Sequence, residues 1–184
     1  MSAPFHTLKH EHRVIEQALR ALEGICLLLK THTEVPVEDL RQLVEFIDFY
    51  ANSFHHHKEE KYLFPALQKP GISWESGALG KIEKEHEIER ALVNELAASV
   101  AALSELTAEA VERFTNSAQR YVRHLLGHMQ HEDALLFRFA EELLENEDKE
   151  KLFKDFKQAE AEIGKEVIKR YENLAALLEE KWAI

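Results

Sequence analysis

Two stretches of the chain pair a histidine with a glutamate four residues later: HHHKEEKYLF at 55–64 and HMQHEDALLF at 128–137. On a helix the fourth residue returns to the same side one turn on. His55 with Glu59, and His128 with Glu132, therefore each offer an imidazole nitrogen and a carboxylate oxygen to one region of space. That donor set suits iron, manganese or zinc. A carboxylate can also bridge two ions, which an imidazole cannot. Two further stretches, LKHEHRVIEQAL (8–19) and IEKEHEIERALV (82–93), carry Glu-His pairs that end in His12 and His86. The order repeats: 12 to 86 is a step of 74 residues and 55 to 128 a step of 73. One helix hairpin is thus expected to occur twice.

Helical phase decides which of these side chains face inward. At about 100° per residue, Ala51, Glu59, Tyr62 and Ala66 fall within about 40° of His55, on a mainly apolar stripe. His57 lies roughly 160° away and is assigned to solvent, while His56 and Glu60, about 100° and 140° off, lie on the flank. His56 is the nearest rival to His55. Around His128, the residues Phe114, Tyr121, Glu132, Leu135 and Phe139 share a face to within about 40°. His124, at about −40°, shares that face one turn earlier, while His131, near −60°, is a weaker candidate. Tyr62 and His124 are kept as candidate additional ligands. His6, His10, His32 and His57 are assigned to the surface, and Phe54, Phe64, Phe137 and Phe139 to the core.

The elements that must position these residues are helices. Gly (6) and Pro (4) are scarce in 184 residues, and Ala, Leu, Glu and Lys dominate, which favours helix. Breaks at THTEVP (31–36), QKPGISWESG (68–77), near Thr107 and at ENEDKE (145–150) leave helices near 7–30, 36–69, 76–104, 108–145 and 149–182. In an up-down bundle, residues equidistant from a loop stand at one height. The midpoint of 12 and 57 falls in THTEVP, that of 57 and 86 at Pro70–Gly71, and that of 86 and 130 beside Thr107. His12, His55, Glu59, His86, His128 and Glu132 are therefore expected in one layer of an all-α up-down-up-down four-helix bundle, as a two-metal site. The additional C-terminal fifth helix carries Leu152, Phe156, Ala159, Ile163, Val167, Leu174 and Leu178 on one face and no histidine. It is expected to cap the bundle or to make a homodimer contact.

Composition bounds the partners. A formal net charge of −11 argues against nucleic acid and against an anionic membrane surface. The single cysteine, Cys26, permits no disulfide within the chain and no cysteine-based zinc site. The opening MSAPFHTLKHEH does not read as a signal peptide, and no apolar run approaches the roughly 20 residues of a membrane span. A cytoplasmic protein is expected.

The pairs EH at 11–12 and 85–86, with HHHKEEKYLFP (55–65) and HMQHEDALLF (128–137), resemble the hemerythrin-like HHE cation-binding family. The resemblance runs from residue 6 to about 145, within a single domain over 1–184. It implies a hemerythrin-like bundle with two iron ions in a non-haem di-iron centre. His12, His55, Glu59, His86, His128 and Glu132 match the family pattern, with both glutamates bridging the irons beside an oxo or hydroxo group. Zinc or manganese is the lesser expectation. The implied function is binding of, or reaction with, a small oxidant: oxygen, nitric oxide or peroxide. The alternatives are an iron- or oxygen-sensing module signalling to a partner, and a structural metal-binding bundle. Oxygen-carrying members resemble this chain but have two histidines spaced HxxxH on the third helix. Here Ile82 and Arg90 stand four residues either side of His86. More open iron coordination, and reaction rather than reversible oxygen carriage, are the expectation, with His124 a candidate replacement ligand.

Overall fold

The computed structural model describes residues 1–68, 78–103 and 107–184. All regular structure among the described residues is helical. Helix α1 (Ala3–Lys30) opens with Pro4 in its first turn, where a missing N–H costs nothing, and has Lys30 in its last turn, where a cation suits the carbonyl end. His32, with φ of 59°, turns the chain into α2. Helix α2 starts regularly (Val37–Phe46), widens into π-helix at Ile47–His56 and again at Glu59–Leu63, and closes with Phe64–Leu67. Helix α3 is Ala78–Ala102. Helix α4 starts at Ala108–His131, where the Thr107 hydroxyl accepts from the Ala110 amide as an N-cap. It passes through a π-helical turn at Glu132–Leu136 and ends at Phe137–Leu143. The loop expected at 68–77, with its Pro70–Gly71 midpoint, lies outside the described residues beyond Gln68, as do residues 104–106.

Each of the four helices packs on the next and α4 packs on α1, which closes the bundle. Two apolar clusters fill it. The larger is built around Ile15, Leu22, Phe46, Tyr50, Leu96, Phe114 and Leu125. The smaller is built around Phe5, Leu8, Leu63, Phe64, Phe137 and Phe156. The histidine layer is sandwiched between them, so its charged groups sit where water is excluded from above and below.

The helix expected at 149–182 is two helices, α5 (Asn146–Ile163) and α6 (Lys165–Trp182). They are split at Gly164, whose φ of 96° is a left-handed value that a side chain would strain. Both dock on the bundle along α1. Leu152, Phe156 and Ala159 of α5, and Tyr171, Ala175, Leu178 and Trp182 of α6, are buried. The Glu179 carboxylate accepts from Gln17 and Arg20, and the Trp182 indole donates to Asp39. Gly24 makes room for this: a Cβ there would collide with the Trp182 backbone.

Phe139 and Leu135, expected on the inner face, are exposed at 41 % and 57 %. The π-helical turn at Glu132–Leu136 holds an extra residue per turn. It shifts the phase so that Leu136, Phe137 and Ala140 are buried instead. The same slip on α2 leaves Tyr62 and Ala66 half-buried and puts Leu63, Phe64 and Leu67 inside. No helix among the described residues is long and apolar enough to cross a membrane.

Candidate metal centre

The structure brings all six expected residues into one buried layer. His12, His55, Glu59, His86, His128 and Glu132 are each at most 2 % exposed. They fall into two groups of donor atoms that lie within 4.8 Å of one another: His12, His55, Glu59 and Glu132, and His56, Glu59, His86 and His128. Glu59 belongs to both. Its Oε2 stands 3.7 Å from His55 Nε2 and 3.6 Å from His86 Nε2. Glu132 spans the same gap, with Oε2 3.2 Å from His12 Nε2 and Oε1 3.2 Å from His128 Nε2.

These atoms fit a pair of cations. Both oxygens of Glu59, both oxygens of Glu132 and both ring nitrogens of His56 are buried without a hydrogen-bond partner, an arrangement that is costly unless something charged satisfies them. The Nε2 atoms of His12 and His55 face each other at 3.0 Å, and those of His86 and His128 at 3.1 Å. Two nitrogens bound at right angles to one ion, each about 2.1 Å away, would be about 3.0 Å apart.

Each outer ring nitrogen is held by a carboxylate from a neighbouring helix. His12 Nδ1 meets Asp133 (3.2 Å), His55 Nδ1 meets Glu11 (2.9 Å), His86 Nδ1 meets Glu60 (2.8 Å) and His128 Nδ1 meets Glu85 (3.1 Å). Such partners fix the tautomer and turn the Nε2 lone pair inward. The internal repeat accounts for all four. Glu11 and Glu85 precede the lone histidines, and Glu60 and Asp133 follow the bridging glutamates. Phase places Glu60 on the flank and says nothing of the other three, because each points across to another helix, beyond the reach of phase on its own. Their position beside each ligand was the available signal.

Electrostatics follow from burial set against these pairs. Burial opposes charge on His12, but the hydrogen bond to Asp133 and the charges of Asp133 and Glu132 outweigh it and raise its pKa to about 9. His128 and His86 are raised in the same way, by Glu132 with Glu85 and with Glu60. Burial wins at His55, which drops to about 4, and at His56, held well below its usual value. Burial and the neighbouring Glu132 charge push Glu59 well up, while His128, His12 and His86 overcome burial and hold Glu132 well down. The hydrogen bond from His86 brings Glu60 down to about 2.

His56 is the inward-facing residue that helical phase misplaced. It is 1 % exposed, its ring stacks on His86 at 3.9 Å, and it stands in the second donor group. The π-helical segment Ile47–His56 turns less than 100° per residue and carries it inward. The nitrogen missing from α3 is thus matched by one from α2, not by His124, whose Nε2 instead meets the Glu85 backbone oxygen at 2.9 Å. Five imidazoles gather, so the expected shortage of ligands is not found. Tyr62 lies outside both groups and packs its ring against His57 and Phe156. His6, His10, His32 and His57 are exposed as expected.

Glu89, 0 % exposed, lies behind His56, with Oε2 3.5 Å from His56 Nε2 and Oε1 accepting from the Tyr121 hydroxyl. Burial raises its pKa to about 7.

No curated protein and no solved structure matches the chain. Residues 3–140, from α1 into the last turns of α4, match the family described as Hemerythrin HHE cation binding domain, which leaves α5 and α6 outside the match. A helical bundle with two interlocked histidine–glutamate groups in its core is a metal-binding bundle, and the chain belongs to the hemerythrin HHE cation-binding family.

Proposed function

We propose that this is a non-haem di-iron protein whose centre binds or reacts with a small oxidant: oxygen, nitric oxide or peroxide. The observation that carries the reading is the sharing of Glu59 between two buried donor groups, with Glu132 reaching the same two groups through its separate oxygens. Mixed imidazole and carboxylate donors suit iron. A pair of irons, when bound, supplies two electrons to an oxidant.

In this reading His12 and His55 would hold one ion and His56, His86 and His128 the other, with Glu59 and Glu132 offering carboxylate oxygens to both. The outer carboxylates keep each imidazole in the tautomer that presents Nε2. The two apolar clusters keep bulk water away. With three nitrogens on one side and two on the other, open positions fall mainly on the His12/His55 side. Five imidazoles remove the ligand shortage that favoured reaction over reversible binding, so the reading covers both.

Metal analysis joined to optical spectroscopy tests it. After anaerobic reconstitution with ferrous iron, two irons per chain are expected. Exposure to oxygen should produce a near-ultraviolet band that bleaches on reduction, and stopped-flow cycling separates reversible binding from turnover. At most one tightly held ion per chain, or zinc as the native ion with no spectral response, would overturn the reading.

A further inference from the structure

Lys58 is 0 % exposed although its neighbour His57 faces solvent. Its ammonium is held on every side. It bonds Glu11 Oε1, stands 3.6 Å from Glu160 Oε1 of α5, and lies 3.9 Å from the centre of the Phe54 ring and 5.6 Å from that of Phe156. Glu11 gives its other oxygen, Oε2, to His55 Nδ1 at 2.9 Å. A chain of charged contacts thus runs from α5 to an inward-facing imidazole: Glu160, Lys58, Glu11, His55.

The other half of the bundle shows what this chain adds. The step of 73 residues carries Lys58 onto His131. Its Nδ1 is 3.5 Å from Glu85 Oε1, while Glu85 Oε2 holds His128. That side chain is 45 % exposed. On one half the carboxylate is approached by a part-exposed imidazole that makes no hydrogen bond to it, and on the other it is bonded by an ammonium buried under α5. An ammonium buried for packing alone would be a poor choice, since an apolar side chain of like volume avoids the desolvation.

We propose that Lys58 and Glu160 are positioning residues: through Glu11 they fix His55, so that α5 tunes the His12/His55 half of the centre and leaves the His86/His128 half alone. The inference rests on the metal-binding reading above. Linkage is reciprocal, so filling the His12/His55 half tightens α5 onto the bundle. α5 lies outside the region matched to the family, and this contact makes it a dependent part of the centre.

Anaerobic titration of the full chain with cobalt(II), followed by its visible absorption, separates the two halves. Wild type should take up two ions. Glu160→Gln and Lys58→Met should weaken one step by up to about tenfold, below the roughly 10- to 100-fold cost of losing the partner bonded directly to a ligand, with the other step unchanged. The effect of Glu160→Gln should vanish in a His55→Ala background and persist in a His128→Ala background. Thermal melting of the metal-free variants checks folding. Should Lys58→Met not fold, Glu160→Gln decides. Two unaltered steps in the variants would overturn the proposal, as would equal weakening of both steps with a lowered metal-free melting temperature, which marks a packing role. A wild type that takes up no cobalt would instead bring down the metal-binding reading and this proposal with it.

Discussion

The hairpin of α1 and α2 and the hairpin of α3 and α4 place equivalent side chains by equivalent geometry. His12 answers to His86, His55 to His128, Glu59 to Glu132, and each outer nitrogen finds its carboxylate at the corresponding place. They part company where His56 corresponds to Met129, Glu89 to Ile15, and Lys58 to His131. Met129 and Ile15 are buried apolar side chains, so each hairpin has a polar group at one of these two places and an apolar one at the other, and both polar groups, His56 and Glu89, lie on the His86/His128 side. α5 then lies mainly on the hairpin that carries Lys58. The shared positions build the layer of donors, and the unshared ones make its two sides chemically unequal.

The strongest blow to the layer falls on what the halves hold in common. Glu59→Ala removes the carboxylate that belongs to both donor groups, and is expected to abolish the binding of two ions, leaving at most one by elemental analysis. His57→Ala, one helix face away and exposed, should keep the full complement. Two ions retained by Glu59→Ala would mean that the halves bind independently.

Removing metal tests the layer's cost. Without ions neither oxygen of Glu59 has a hydrogen-bond partner and Glu132 is left to the surrounding imidazoles alone, and metal-binding energy is folding energy. Ions at about a thousandfold excess over Kd contribute about 4 kcal/mol. At about 2–4 °C per kcal/mol for a chain of this size, chelation should lower the melting temperature by about 10 °C. An unchanged melt with metal loss confirmed would show the two clusters hold the bundle alone.

His56→Met gives the second half the residue type that stands at the matching place, Met129. It should weaken one ion by at least about tenfold, the scale of losing a directly placed donor, and bring the two affinities closer. A titration that stays as unequal as in wild type would mean that His56 serves packing against His86 and does not donate.

The layer was legible because two signals agreed: a four-residue spacing within helices and equal distances from loops between them. Both are properties of regular helix, and they fail where the helix is not regular. A π-helical turn leaves no mark in composition, so His56 was placed on the flank and Phe139 and Leu135 in the core. Gly164 reads as tolerable inside an amphipathic run, since its spacing keeps Ala159, Ile163 and Val167 in phase; only its positive φ marks the break between α5 and α6. The outer carboxylates sat beside every ligand in plain view. Their role needed the crossing of neighbouring helices, which one-helix phase cannot supply.

The smallest expected effect concerns protons within one half. In the metal-free protein His12 holds its proton up to about pH 9, because Asp133 and Glu132 outweigh burial, while His55 is neutral above about pH 4. The folded pKa of His12 lies above its usual 6.5. Its proton therefore stabilises the metal-free fold fully below about pH 6.5, and that contribution is lost as pH rises through about 9. Metal needs the same nitrogen unprotonated, so the dependence reverses: affinity at this half should rise with pH and level off near pH 9. At pH 7.5, uptake of ions by wild type should release protons from His12, and from Glu59, whose pKa burial and Glu132 hold well up. Asp133→Asn removes the carboxylate that holds His12 Nδ1 and should cut the release by up to one proton per chain. Calorimetry in two buffers of different ionisation enthalpy counts the protons. A count that Asp133→Asn does not change would place the released protons elsewhere in the layer and remove His12 as the site of competition.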